Sequence, residues 1–157
     1  MWKNKPRMEY TTELLIELPR KRVIRFFDST ENNRQWQPGI KSLKLIGGTD
    51  RKVGARYRIV YEGRKGDLTV EETVLVRNLP DEYSALQRSQ GVKNTIHHFF
   101  IEKTPRQTLW RMVNHFRFGG MMRIMAPFMK SAFTANTLLH MEQFKIFAEN
   151  SQHHDLT

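Results

Sequence analysis

Glu72 is the side chain best placed to move a proton. It lies between Val70 and Val74 in an alternating stretch, which aims its carboxyl to the same side as the valines. A carboxyl drawn out of water holds its proton more tightly and suits general acid or base work. A bulge or twist that turns it outward, or a neighbouring arginine that pairs with it, is the competing reading. His97 and His98 are adjacent, so one faces each side of a strand. Parity with Ile96 and Phe100 favours His98 as the inward one, but His97 aligns equally with Phe99 and Ile101. Glu72 and His98 are therefore the catalytic candidates. Asn114 lies between Met112 and Phe116, and Asn136, His140 and Gln143 fall one and two helical turns apart, where they could fix the polar end of a ligand. Hydrogen bonds to strand ends or solvent would explain them equally well.

Other chemistries lack their residues. There is no cysteine and no HExxH spacing, so neither a thiolate nucleophile nor a zinc site is expected. No nucleophile elbow surrounds Ser84 or Ser131, and there is no glycine-rich phosphate loop. No metal or cofactor is called for.

The elements that must position these groups are mostly strands. Met8 to Leu18 reads as a first strand closed by Pro19, and Val23, Ile24, Phe26 and Phe27 recur at helical spacing to about Asp28. Ser29 or Thr30 can cap a second short helix that ends at Trp36 and Pro38-Gly39. From Ile40 the period becomes two. Turn signals at Gly47-Gly48, Gly63 to Gly66, Pro80-Asp81, Gly91 and Pro105 divide the run into strands, about seven in all with the first. Val53, Ala55, Tyr57, Ile59 and Tyr61 are expected on one side of a strand, and Leu68, Val70, Val74 and Val76 on one side of the next. With no helix between strands two and seven, the sheet should be an antiparallel meander whose twist curls it around one concave face.

A single long helix is then expected from Gly119 to about Asn150, roughly 45 Å at about 1.5 Å per residue and kinked by Pro127. Its sheet-facing stripe is read as Met121, Met125, Phe128, Met129, Ala132, Ala135, Leu139, Ile146 and Phe147. Such soft side chains could line a cavity. The expected cavity residues are Trp36, Tyr57, Tyr61, Glu72, His98, Phe100, Trp110, Asn114, Met125, Phe128, Met129, Asn136 and His140.

The 157 residues fit a single domain, 1–157, with a core over about 8–149 and a patternless tail over 151–157. No leader or membrane-spanning run is evident, which makes the cytoplasm the default location. The net charge of +10 is uneven: no acidic residue occurs between Glu102 and Glu142, whereas Lys103, Arg106, Arg111, Arg117, Arg123 and Lys130 do. A second basic cluster is Arg20, Lys21, Arg22 and Arg25. This charge fits a solvated surface, an anionic ligand, a membrane or a nucleic acid, and alone does not choose among them.

The order strand, helix pair, meander and terminal helix resembles the helix-grip fold of the START-like (SRPBCC) superfamily, an α+β class, particularly its polyketide cyclase/dehydrase and lipid-transport branch. The resemblance is carried by the run from Pro19 to Asp28, by Trp36-Gln37-Pro38-Gly39-Ile40, by Val53-Gly54-Ala55-Arg56-Tyr57 and by Phe118-Gly119-Gly120. It implies a cavity between sheet and terminal helix for a small hydrophobic molecule, with an anionic group allowed by the net charge. The Rieske-bearing branch is excluded because it needs two cysteines. Ligand binding or transport is the first functional expectation. A cyclase or dehydratase is an alternative, and a basic module for RNA, membrane or an acidic partner is another. The third is disfavoured because the basic residues are not interleaved with exposed aromatics as stacking platforms need. Oligomeric state is left open.

Overall fold

The computed structural model describes residues 5–151. Seven strands form one antiparallel curved sheet in the order β1-β7-β6-β5-β4-β3-β2, so the first strand closes onto the last. They are β1 (Arg7–Ile16), β2 (Ile40–Gly47), β3 (Arg56–Tyr61), β4 (Leu68–Asn78), β5 (Glu82–Ser89), β6 (Val92–Thr104) and β7 (Gln107–Phe118). Two short helices, α1 (Arg20–Phe27) and α2 (Thr30–Trp36), follow β1. Ser29 caps α2 by accepting from the Asn32 amide at 3.2 Å, the role its side-chain oxygen suits.

Alternation of buried and open positions is strict along β7, where Thr108, Trp110, Met112, Asn114, Phe116 and Phe118 are all buried. One face of this strand carries the core and the other meets solvent. The same parity places Ala55, Tyr57 and Ile59 inside, whereas Val53, expected beside them, is an exposed turn residue. On β4 the expected face is interrupted. A register shift between Val74 and Val76 keeps Val74 buried, turns Val76 outward and brings Arg77 to the inner side opposite Tyr83.

The terminal helix departs most from expectation. It divides into α3 (Met122–Met125), a 3-10 turn over Ala126–Phe128 and α4 (Lys130–Asn150). Pro127 breaks the helix because it has no N–H to give and its ring collides with the preceding turn. The 21 residues of α4 span about 32 Å. Nor does the expected stripe face the sheet. Met121, Met125, Leu139 and Ile146 are exposed, Phe128 is 89% exposed, and Ala132 and Ala135 also look outward. Met141, Phe144 and Ala148 are the fully buried side chains, with Phe133, Leu138 and Phe147 packed at the margins. Apolar residues occur all around this helix, so periodicity does not select a side.

What does select it is mooring to β1. The Tyr10 hydroxyl lies 2.8 Å from Thr137 Oγ1, Lys145 donates to the Leu15 carbonyl at 2.8 Å, and the Glu17 amide donates to Glu149 at 2.8 Å. Phe144 then meets Trp36 and Trp110 edge-on, both at 5.1 Å between ring centres. The expectation for residues 152–157 of the tail lies outside the described residues.

Candidate functional site

The concave face of the sheet, the α1–α2 elbow and the middle of α4 enclose a cavity of about 130 Å³. Its apolar wall is Phe27, Trp36, Leu43, Ile59, Ile96, Trp110 and Met112. Facing it are Tyr57 and Tyr61 of β3, Glu72 and Arg77 of β4, Tyr83 and Gln87 of β5, His98 of β6 and His140 of α4. Asp28, Ser29, Thr30, Asn33, Gln37 and Arg51 complete the lining from the elbow and the β2–β3 connection.

Glu72 faces this space with Gln87 Nε2 donating to its Oε2 at 2.8 Å and the Tyr83 hydroxyl 3.4 Å from its Oε1. Desolvation raises its pKa above the ordinary carboxylate value, and the two hydrogen bonds only partly offset this. A polar line continues across the sheet. Asn94 Nδ2 lies 3.4 Å from Gln87 Oε1 and donates to Asn114 Oδ1 at 2.9 Å. Asn94 and Asn114 are both buried, and Asn94 Oδ1, Asn114 Nδ2 and Thr12 Oγ1 have no hydrogen-bond partner among the described residues.

Of the two adjacent histidines, His98 is the inward one, only 8% exposed. Trp110 Nε1 donates to its Nδ1 at 3.2 Å, so the neutral ring carries its proton on Nε2. Burial, aided by the charge of His97, pushes its pKa down to about 3. It is therefore a poor base at neutral pH, and the hydrogen bond it makes to Trp110 is as an acceptor. His97 points outward, where its Nδ1 lies 2.8 Å from Ser84 Oγ and 3.3 Å from Glu82 Oε1. Burial also lowers the pKa of His140, whose ring centre is 6.4 Å from that of Tyr61.

The three cavity tyrosines stay protonated. Burial pushes Tyr57 up to about 12, and burial together with the charge of Glu72 raises Tyr61 and Tyr83 further. Tyr61 donates to Gln37 Oε1 at 2.8 Å, and Tyr57 donates to Asp50 Oδ1 at 2.7 Å while accepting from the Arg51 amide.

Set against the sequence reading, Trp36, Tyr57, Tyr61, Glu72, His98, Trp110 and His140 all line the one cavity. The other expected lining residues stand elsewhere. Phe100 is buried in the core beside Trp110 and Phe27, and Asn114 lies under the helix, paired with Asn94. Asn136 is exposed on α4 and Met129 is half-buried at its start. Met125 and Phe128 project to solvent because α3 and the 3-10 turn pack through Met122 and Ala126 instead. Asp28, Arg51, Arg77, Tyr83 and Gln87 were missed. Parity with buried Ala85 would have found Tyr83 and Gln87 on β5. Nothing local marks the other three, which arrive by a helix end, a turn and a bulge.

Among the described residues, no group of three histidine, aspartate or glutamate side chains could hold a metal, and no helix is long and apolar enough to cross a membrane.

The meander closed by β1 on β7 and gripped around α4 is the START-like helix-grip fold. The chain is similar throughout to the Zhui aromatase/cyclase from Streptomyces sp. R1128, with 11% identity, a TM-score of 0.78 and coverage of 93% of this chain and 96% of that one. A START superfamily protein from Mycobacterium smegmatis shares 13% identity at a TM-score of 0.75, over 90% of this chain and 97% of that one. A conserved protein from Geobacillus kaustophilus matches at 13% identity and a TM-score of 0.78, over 92% and 97%. Such identities establish the fold alone. No protein-family model matches the sequence, and no curated protein does.

Proposed function

We propose that the protein binds a small molecule with a ring-sized apolar body and hydrogen-bonding substituents. The observation that carries this reading is the cavity itself, about 130 Å³ walled by aromatic and aliphatic side chains on one side and polar groups on the other. An apolar cavity of about 150 Å³ takes one benzene, so a single ring is the scale of ligand that this cavity of about 130 Å³ suits. Burying roughly 150 Å² of apolar ligand surface at about 25 cal/mol/Å² supplies about 4 kcal/mol, which alone supports only millimolar binding. Tighter binding must come from Glu72, the tyrosines, Gln87 and the two histidines. The ligand is therefore amphipathic rather than purely hydrophobic. Native mass spectrometry of gently purified protein, followed by denaturing extraction, is the test. A stoichiometric small-molecule adduct is expected. A clean apo mass together with no thermal shift from a panel of phenols and aromatic amides would sink the proposal.

A second reading is favoured by one observation, the desolvated Glu72 carboxyl held between Tyr83 and Gln87. A carboxyl so placed can exchange a proton with a bound ring or its carbonyl substituent, as a cyclase or dehydratase requires. In this reading Glu72→Gln abolishes turnover of an identified substrate that the variant still binds. Turnover by the variant at the wild-type rate would reject it.

A further inference from the structure

The rim of the cavity holds an arrangement that the ring-binding reading does not use. The shift in β4 re-aims Arg77 inward, although the alternation beginning at Val70 would have placed it on the solvent side. Arg51 reaches the same point from the β2–β3 connection. Its backbone is left-handed, with φ of 61°, a conformation a residue with a side chain rarely adopts, and the Tyr57 hydroxyl holds its amide at 2.7 Å. Both guanidinium groups contact the same oxygen, Oδ2 of Asp28, which ends α1. Two cations thus share one carboxylate, and the cluster keeps one unit of positive charge. Arg77 Nε is buried and has no hydrogen-bond partner among the described residues. A buried donor left unmade is costly, more so on a charged group.

We propose that Arg51 and Arg77 form a carboxylate subsite at the cavity rim, with Asp28 occupying it in part, and that the ligand is a ring-sized carboxylic acid. The inference rests on the cavity being a ligand site. One more carboxylate presents two coplanar oxygens to the exposed edges of the guanidinium groups and neutralises the residual charge. A phosphate carries more charge than the cluster lacks. Side-chain exposures of 31%, 27% and 22% for Arg51, Arg77 and Asp28 leave the subsite reachable from solvent while its inner side opens to the ring pocket. Asp28 tunes the subsite, because it competes with the ligand for the same two cations.

The test is titration calorimetry of the intact protein with benzoate, with benzamide of the same shape but no charge, and with inorganic phosphate. Benzoate is expected to bind at least tenfold more tightly than benzamide, the scale of a charge-assisted hydrogen bond, and to weaken with added salt while benzamide does not. Arg77→Gln should bring benzoate down to the benzamide affinity and leave benzamide unchanged. Asp28→Asn should raise benzoate affinity roughly tenfold by removing the competitor. If Arg77→Gln melts too low to titrate, Arg51→Gln, on a turn, must show the same selective loss of benzoate. Equal affinities for benzoate and benzamide, equal loss of both in Arg77→Gln, or phosphate competing as well as benzoate would overturn the subsite and leave the cavity reading standing. Binding of neither aromatic probe would overturn both.

Discussion

Replacing His98 by asparagine should flatten the acid side of the stability profile. The imidazole is enclosed by Phe27 of α1, Tyr83 of β5 and Trp110 of β7, at ring-centre distances of 5.0, 5.8 and 5.7 Å. None of these neighbours offers a countercharge for an imidazolium, and His97 beside it disfavours one. With its pKa near 3 in the fold against an ordinary 6.5, the unfolded chain binds a proton that the native protein refuses anywhere between those values. Stability from this group is therefore complete above 6.5 and is lost as pH falls toward 3. Between about pH 7.5 and about pH 5 the loss is 1.5 units at 1.36 kcal/mol each, about 2 kcal/mol. For a chain of this length that is roughly 4–8 °C in Tm. Asparagine keeps an acceptor where Nδ1 stood, so Trp110 retains its hydrogen bond while the titration disappears. Denaturant melts of both proteins across this range, compared as a difference, isolate His98 because Glu72 and His140 are present in both. The smaller side chain lowers the whole curve, but only the slope bears on the reasoning. An unchanged slope in the variant, or an NMR titration of His98 with a midpoint near 6.5, would refute it.

Glu72 should act with the opposite sign: its raised pKa gives stability that is present below 4.5 and lost as pH rises through the folded value, so Glu72→Gln removes a decline in stability above pH 4.5. Urea melts at increasing pH check this, and a parallel decline in both proteins contradicts it. Phe144→Ala should cost about 3–5 kcal/mol, because the ring is fully buried between Trp36 and Trp110. A smaller loss by chemical denaturation would mean that α4 settles into the gap. Phe128→Ser and Met125→Ser should change stability by less than about 0.5 kcal/mol and leave probe binding intact, since both side chains face solvent. Loss of binding in either would return them to the cavity wall.

The sheet was legible because one buried face imposes a period of two, and that period carried Glu72 to its place inside. It could not separate His97 from His98, since each has apolar neighbours of matching parity on either side. Pairing resolves them: His98 lies opposite Tyr83 and Met112, both inward, and His97 opposite Ser84 and Val113. The shift after Val74 was invisible because Val, Leu, Val and Arg suit either face, and with it Arg77 went unread. The terminal helix failed for the converse reason. Its apolar residues exceed what one face can hold, so the hydrogen bonds made by Tyr10 and Lys145 and accepted by Glu149 decide its rotation, and none of these shows in a periodic count.

The pairing of β1 with β7 also sets a timetable for synthesis. Of the seven strands described, Arg7–Ile16 leaves the ribosome before the others, yet its partner Gln107–Phe118 follows roughly a hundred residues later, about 5–20 s at typical elongation rates. In that interval the intervening strands can zip as successive hairpins, while β1 waits with both edges bare. Of the described elements, the helix that rests on β1 emerges last. Any nascent chain stopped before Phe118 therefore lacks both the far wall of the sheet and α4, and one stopped before Lys130 still lacks α4. The sheet is thus completed by its first and seventh strands together, and the proposed ligand site exists only once α4 has settled on β1.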